Sequence, residues 1–147
     1  VWWSSSTYDE RLTNWFDLRN DISNLDLETA LNKVNSWWFD VPFVNKHLHP
    51  QDVQNWPSPW EMLADNLYCD LARGLGMMYT LMATNIAEVE EMAIIYADNE
   101  YFLAINNMTY ILNYSVSSIT PENLTGLESS YVIVTSKDDA IKKKIGK

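Results

Sequence analysis

The chain holds one cysteine, Cys69, and two histidines, His47 and His49. A thiol within hydrogen-bond reach of an imidazole makes a nucleophile and its base, the pairing used by cysteine hydrolases and acyltransferases. Cys69 lies in WPSPWEMLADNLYCDLARGLG, residues 56–76, and both histidines lie upstream in a proline-bearing stretch. The same residues with Asp65 or Asp70 are the candidates for a metal. Two histidines at i, i+2 followed by one distant cysteine match no strong zinc spacing, so neither metal nor cofactor is expected.

Activation of the thiol depends on where it sits on its helix. Ser58, Pro59, Trp60 and Glu61 read as N-cap, N1, N2 and N3, a capping box with proline where its missing N–H costs nothing. Trp60, Leu63, Ala64, Leu67, Leu71 and Leu75 then continue as one apolar stripe, extended by Ala72. Gly74 and Gly76 are expected to stop the helix. This pattern predicts a central helix with Cys69 about three turns from its start, where the helix dipole has little effect. Free cysteine is also among the most buried residue types, so a core role competes with a catalytic one.

The other elements follow from periodicity. Residues 8–20 form a loosely amphipathic helix carrying Leu12, Trp15, Phe16 and Arg19. In NLDLETALNKVNSWW, Leu27, Ala30, Leu31, Val34, Trp37 and Trp38 follow helical spacing, with Asp26 as N-cap. Residues 39–57 contain three prolines and read as a long connection packed down by Phe39, Val41, Phe43, Val44 and Trp56. MMYTLMA, residues 77–83, fits either a strand or a helix. Residues 92–113 read as an antiparallel meander of about three strands, with turns at ADNE and INNM. SYVIVTS predicts a last strand. The expected class is therefore α+β: N-terminal helices and a central Cys-bearing helix packed on an antiparallel sheet of about 3–5 strands.

At 147 residues, 47% of them hydrophobic, with seven Trp, eight Tyr and four Phe, the chain has ample material for a core. Residues 1–136 hold 18 of the 20 acids and five of the ten bases, while 137–147, KDDAIKKKIGK, hold five lysines. One acidic domain over 1–136 with a Lys-rich tail over 137–147 is expected. The acidic body repels nucleic acid and anionic membrane. No apolar run reaches the roughly 18 residues of a membrane span, and the start has no signal-peptide pattern. A single cysteine suits a reducing compartment, so a cytoplasmic or virion location is expected. The sequons at Asn107, Asn113 and Asn123 then read as accidents of an Asn-rich chain.

NLYCDLARGLGMMYTLMA, followed by EMAIIYADNEYFLAINNMTYILNYS, resembles the core of transglutaminase-like domains in the papain-like superfamily. The resemblance covers residues 60–114 and rests on a cysteine on a helix, the small Ala72 three positions on, the turn-like Leu75-Gly76-Met77, and two antiparallel strands after it. It implies Cys69 as nucleophile. It also implies a histidine at the start of the strand after the cysteine helix, where Glu90, Glu91 and Met92 stand. An aspartate is implied at the end of the next strand, where Asn106 and Asn113 are the candidates. The resemblance therefore implies a scaffold that has lost its base.

Six of the seven tryptophans fall in near-adjacent sets: Trp2 with Trp3, Trp37 with Trp38, and Trp56 with Trp60. Neighbours on a helix point about 100° apart, so both rings of a pair cannot share one narrow core stripe. These six are candidate interface anchors. Taken together, the residues point to a non-catalytic structural or interaction protein that meets protein partners, copies of itself among them, through aromatic and acidic surface. Its size and composition resemble a bacteriophage virion component of the tail, neck or baseplate. The alternative is a transglutaminase-like cysteine hydrolase or acyltransferase using Cys69, with His47 or His49 as base.

Overall fold

The structure is a computed structural model that describes residues 2–43, 53–97, 99–120 and 130–135, with Val53 and the last six by backbone alone. Among the described residues five helices precede a sheet: α1 (Trp2–Ser5), α2 (Tyr8–Ile22), α3 (Leu27–Trp38), α4 (Pro59–Ala64) and α5 (Asp70–Thr84). A 3-10 turn, Val53–Asn55, lies before α4. The strands are β1 (Met92–Ala97), β2 (Glu100–Ile105), β3 (Tyr110–Leu112) and β4 (Ser130–Thr135). They form one antiparallel sheet in the order β3-β2-β1-β4. The arrangement is α+β, as the patterns predict.

Each long helix begins where its side chains satisfy the first free N–H groups. Thr7 and Glu10 form a reciprocal capping box on α2, Asp26 accepts from the Thr29 N–H on α3, and Ser58 with Glu61 forms a second box on α4. α2 buries Arg11, Trp15, Leu18 and Ile22; α3 buries Ala30, Leu31, Val34 and Trp38. α5 packs against β1 and β2. The sheet face carrying Met92, Ile94, Leu103, Ile105 and Leu112 joins the main core with α5, while Ala93, Ile95, Ala97, Phe102, Ala104 and Ile111 form a separate cluster on the other face. The alternation is the period of two expected of strands.

The central segment is not one helix. α4 ends at Ala64, Asp65 turns extended, and α5 starts afresh at Asp70. The reason is tertiary. The carbonyls at the end of α4 have donors from elsewhere: Tyr68 Oη donates to Met62, Arg11 Nη1 to Leu63 at 3.1 Å and to Asp65 at 3.0 Å, and Trp3 Nε1 to Asp65 at 3.0 Å. Asp65 and Asn66, weak helix formers, lie at the break. The Tyr68 N–H donates to the Pro42 carbonyl at 2.9 Å, and Tyr68 pairs with Phe43 as a parallel bridge. These bonds replace the helical ones that a continuous stripe from Trp60 to Leu75 would have made.

The second departure concerns the glycines. Gly74 and Gly76 do not stop a helix; α5 runs through both to Thr84, so MMYTLMA is helical. Gly76 is there for room, because a Cβ would lie 2.7 Å from the Trp38 ring. The helix ends at Asn85, a C-cap in the left-handed region at φ 57°. Asn99, Asn106 and Asn107 also take positive φ in the turns of the meander. Asparagine tolerates that region better than other non-glycine residues, which gives this Asn-rich chain a structural use for it.

Arg11 is the fastener between the N-terminus and the α4–α5 junction. It is buried, and it also donates to the Trp3 carbonyl, Ser6 Oγ and Asn66 Oδ1. No ammonium can copy that planar fork. Arg11→Lys is expected to cost about 2 kcal/mol, because at least one buried carbonyl loses its donor while the charge stays. A urea midpoint that falls with unchanged slope would show it; an unmoved midpoint would refute it.

Candidate functional site

The break at Asp65 changes the position of the thiol. Cys69 is the N-cap of α5, not a residue three turns inside a helix. Its Sγ accepts from the Ala72 N–H at 3.5 Å, and the residue is only 2% exposed. The partial positive charge of a helix is strongest at this end.

The next residue braces the site. Asp70 Oδ1 accepts from its neighbour Leu71 N–H at 2.8 Å, and Oδ2 accepts from the Tyr101 N–H at 2.9 Å. Asp70 thus ties the first turn of α5 to the start of β2. Asn113, just after β3, completes the tie. Its Nδ2 donates to the Asp70 carbonyl at 2.7 Å and to the Tyr101 carbonyl at 3.0 Å, its Oδ1 accepts from Arg73 Nε, and its N–H donates to Asn35 Oδ1 at 2.8 Å. Asn113 is buried and takes φ 73°. Both amide hydrogens are engaged, so this sequon cannot carry a glycan in the folded chain. Asn107 is exposed, and Asn123 lies outside the described residues.

Tyr101, whose backbone Asp70 and Asn113 hold at the start of β2, is near enough to Cys69 for the thiol to bear on its phenol. Burial, then Tyr96, Asp70 and Cys69, push its phenol above the ordinary tyrosine range. It stays protonated at neutral pH and cannot take a proton from a thiol. Tyr96 stacks beside it at 4.9 Å between ring centroids. Arg73, one turn along α5, lies over Phe39 at 4.0 Å and Phe43 at 4.9 Å. Burial lowers its pKa, while Asp70, Glu100 and Cys69 act in the opposite direction.

Strand register places the other expected positions. Tyr96 pairs with Tyr101, and Met92 pairs with Ile105, four residues further along. Met92 therefore lies about 13 Å along the strand from the thiol end of the sheet, with Glu90 and Glu91 before it at the same far end. There Asn106 Oδ1 accepts from the N–H groups of Glu90 and Glu91. Of the two asparagine candidates, Asn106 serves that far turn and Asn113 lies at the Cys69 end. His47 and His49 lie outside the described residues. Among the described residues no group of His, Cys, Asp and Glu could hold a metal ion.

The tryptophans separate. Trp3, Trp38 and Trp56 are buried, Trp2 and Trp37 are half-buried, and Trp60 is exposed. Trp2, Trp3, Trp37 and Trp38 stack on one another with centroids 5.0–5.8 Å apart. Trp15 and Trp38 both donate to Thr80 Oγ1. Adjacent rings thus find separate partners within the chain: Trp37 lies against Trp2 and donates to Asn14, while Trp38 enters the core. Sequence reasoning missed Tyr101, Arg73 and Asn35. The available signal was that the YFLA strand carries Tyr101 at its start, the place expected of a histidine one strand earlier.

The described chain lays a helix capped by its cysteine on an antiparallel sheet. Solved structures of Legionella pneumophila LapG share this fold. One matches with a TM-score of 0.67 at 16% identity over 97% of this chain and 91% of that one. The EGTA-treated form matches with a TM-score of 0.65 at 16% identity over 86% and 75% of the two chains. The calcium-bound form has a TM-score of 0.65 at 15% identity over 86% and 77%. At this identity the likeness is one of fold. No protein-family model and no curated protein matches the chain. Among the described residues no helix is long and apolar enough to cross a membrane.

Proposed function

We propose that this chain is a non-catalytic interaction protein built on a transglutaminase-like scaffold. One observation carries the reading: among the described residues the sheet group on which Cys69 bears is the phenol of Tyr101, held above its ordinary range, and the amide that could orient a base, Asn113, is spent on Asp70, Tyr101 and Arg73. Among the described residues nothing in this arrangement takes a proton from sulfur. The virion-component form of this reading rests on composition, to which the fold adds nothing.

Alkylation of Cys69 by iodoacetamide tests it. The native thiol is expected to react at least about tenfold more slowly than in the urea-unfolded chain, because it is buried and unassisted. Tyr101→His, which sets an imidazole where the thiol bears on the ring, is expected to speed the native reaction. A native rate above the unfolded rate overturns the reading.

One observation favours a second reading, the cysteine hydrolase or acyltransferase. Phe43 pairs with Tyr68, the residue before Cys69, and His47 and His49 follow Phe43 by four and six positions. A fast native alkylation that His47→Ala or His49→Ala abolishes would establish it.

A further inference from the structure

We propose that the face of α2 and α4 around Arg19 is a docking surface for a protein segment that presents a carboxylate beside an apolar side chain. It rests on the reading of the chain as an interaction protein and does not use the thiol.

Two large aromatic residues stand open here. Phe16 is 53% exposed and Trp60 is 42% exposed. Trp60 meets the buried Trp15 edge-on at 5.6 Å, which brings α4 alongside this part of α2. Tyr8, exposed, and Leu12, half-buried, precede Phe16 at spacings of four and lie along one strip of the helix. On the opposite flank of α2, Asn14 accepts from Trp37 of α3, while Phe16 stays exposed.

Arg19 lies in this strip. Its guanidinium carbon is 4.3 Å from the centroid of Trp15 and 5.7 Å from that of Phe16. Among the described residues its Nε is buried and has no acceptor, so a partner must reach this guanidinium through its Nη groups. Arg11 and Arg73 donate to oxygens, and Lys33 pairs with Asp21 at 3.3 Å. Among the described residues Arg19 has no such oxygen partner and is held on aromatic faces instead. A guanidinium so placed matches a carboxylate with two parallel bonds. Flanking aromatic rings exclude water from such a pair, and Trp and Arg dominate interface hot spots. The chain as a whole carries −10, so its general field attracts basic partners. An acidic segment must be selected locally, by Arg19. That field also disfavours a second copy as the occupant.

The test uses the full chain and fluorescence anisotropy of labelled short peptides: one alternating Leu and Glu, one alternating Leu and Lys, one alternating Ser and Glu. The Leu–Glu peptide is expected to bind best. Arg19→Gln and Trp60→Ser are each expected to weaken it about tenfold or more, and Arg19→Lys less, since charge remains and the fork is lost. Both sites lie at the surface, and a thermal melt establishes that the variants fold. The proposal is overturned if no peptide binds, if Leu–Lys binds as tightly, or if both variants bind like the parent. Self-association of the chain alone that Trp60→Ser removes would assign the face to a second copy and overturn the stated occupant. None of these outcomes alters the protection of Cys69, so this proposal and the non-catalytic reading fail separately.

Discussion

Asn113→Ala is expected to destabilise the chain by about 4 kcal/mol. The substitution deletes three side-chain hydrogen bonds; the Tyr101 carbonyl and Arg73 Nε lose this partner, while the Asp70 carbonyl, at the start of α5, is left with its helical bond alone. Each buried group left unsatisfied costs about 1–3 kcal/mol. Alanine at φ 73° adds about 1 kcal/mol, because its Cβ crowds the following carbonyl where asparagine is tolerated. Asn113→Asp separates these contributions. It keeps the backbone tolerance and the acceptor for Arg73, yet it sets a carboxylate oxygen against two carbonyls. A loss of about 3 kcal/mol is expected for it. Urea titrations of the three proteins decide the matter. If Asn113→Asp proves neutral or stabilising, the two Nδ2 bonds do not hold β2 to α5 as described. The effect also reaches the site, because Asn113 holds Tyr101 near Cys69: amide exchange at Tyr101 should accelerate in both variants more than exchange in the middle of α5.

The second large effect is at Gly76. A Cβ there would lie 2.7 Å from Cη2 and Cζ3 and 2.8 Å from Cε3 of Trp38. That ring has nowhere to retreat. It is buried, its Nε1 donates to Thr80 Oγ1 at 2.9 Å, and Thr80 sits one turn further along the same helix as Gly76. It also stacks on Trp3, Trp37 and Tyr68. Alanine would ordinarily favour a helix interior by about 1 kcal/mol over glycine. Here overpacking dominates, and Gly76→Ala is expected to cost about 3 kcal/mol net. Gly74 is the control. Its added Cβ would meet Asn113 Nδ2 at 3.3 Å and Ile94 Cδ1 at 3.6 Å, a far milder approach. Gly74→Ala should therefore fall well short of Gly76→Ala. Equal midpoints for the two variants would mean that Trp38 moves freely, and the account of the α3–α5 contact would be wrong.

Both residues show what was legible beforehand. Asn113 is a candidate only through the family resemblance, as one of two asparagines at the implied aspartate position, and it lies at the Cys69 end of the sheet. Gly76 is also singled out, but as a helix stop. Glycine marks either a left-handed turn or a close approach, and only the position of Trp38 distinguishes the two. The apolar stripe from Trp60 to Leu75 misleads for a similar reason. Its spacing is genuine on both sides of the break, but spacing cannot show that Arg11, Trp3 and Tyr68 satisfy the carbonyls of Met62, Leu63 and Asp65 from outside.

Local patterns determined much of this protein unaided. The caps at Asp26 and at Ser58 with Glu61, the helical faces of α2 and α3, the three-strand meander over residues 92–113 and the α+β class all depend on contacts within a few residues of each other. The free energies involved are short-range, so the sequence displays them. Tertiary structure alone decided the rest. It placed Cys69 at a helix N-cap rather than mid-helix, set Tyr101 near it, buried Trp3, Trp38 and Trp56, and left Trp60 open beside Arg19. Those outcomes depend on which distant donor meets which orphaned carbonyl, and on which ring fills the space beside a glycine. Such contacts join residues as far apart as Trp3 and Asp65, and no periodicity in the chain encodes them.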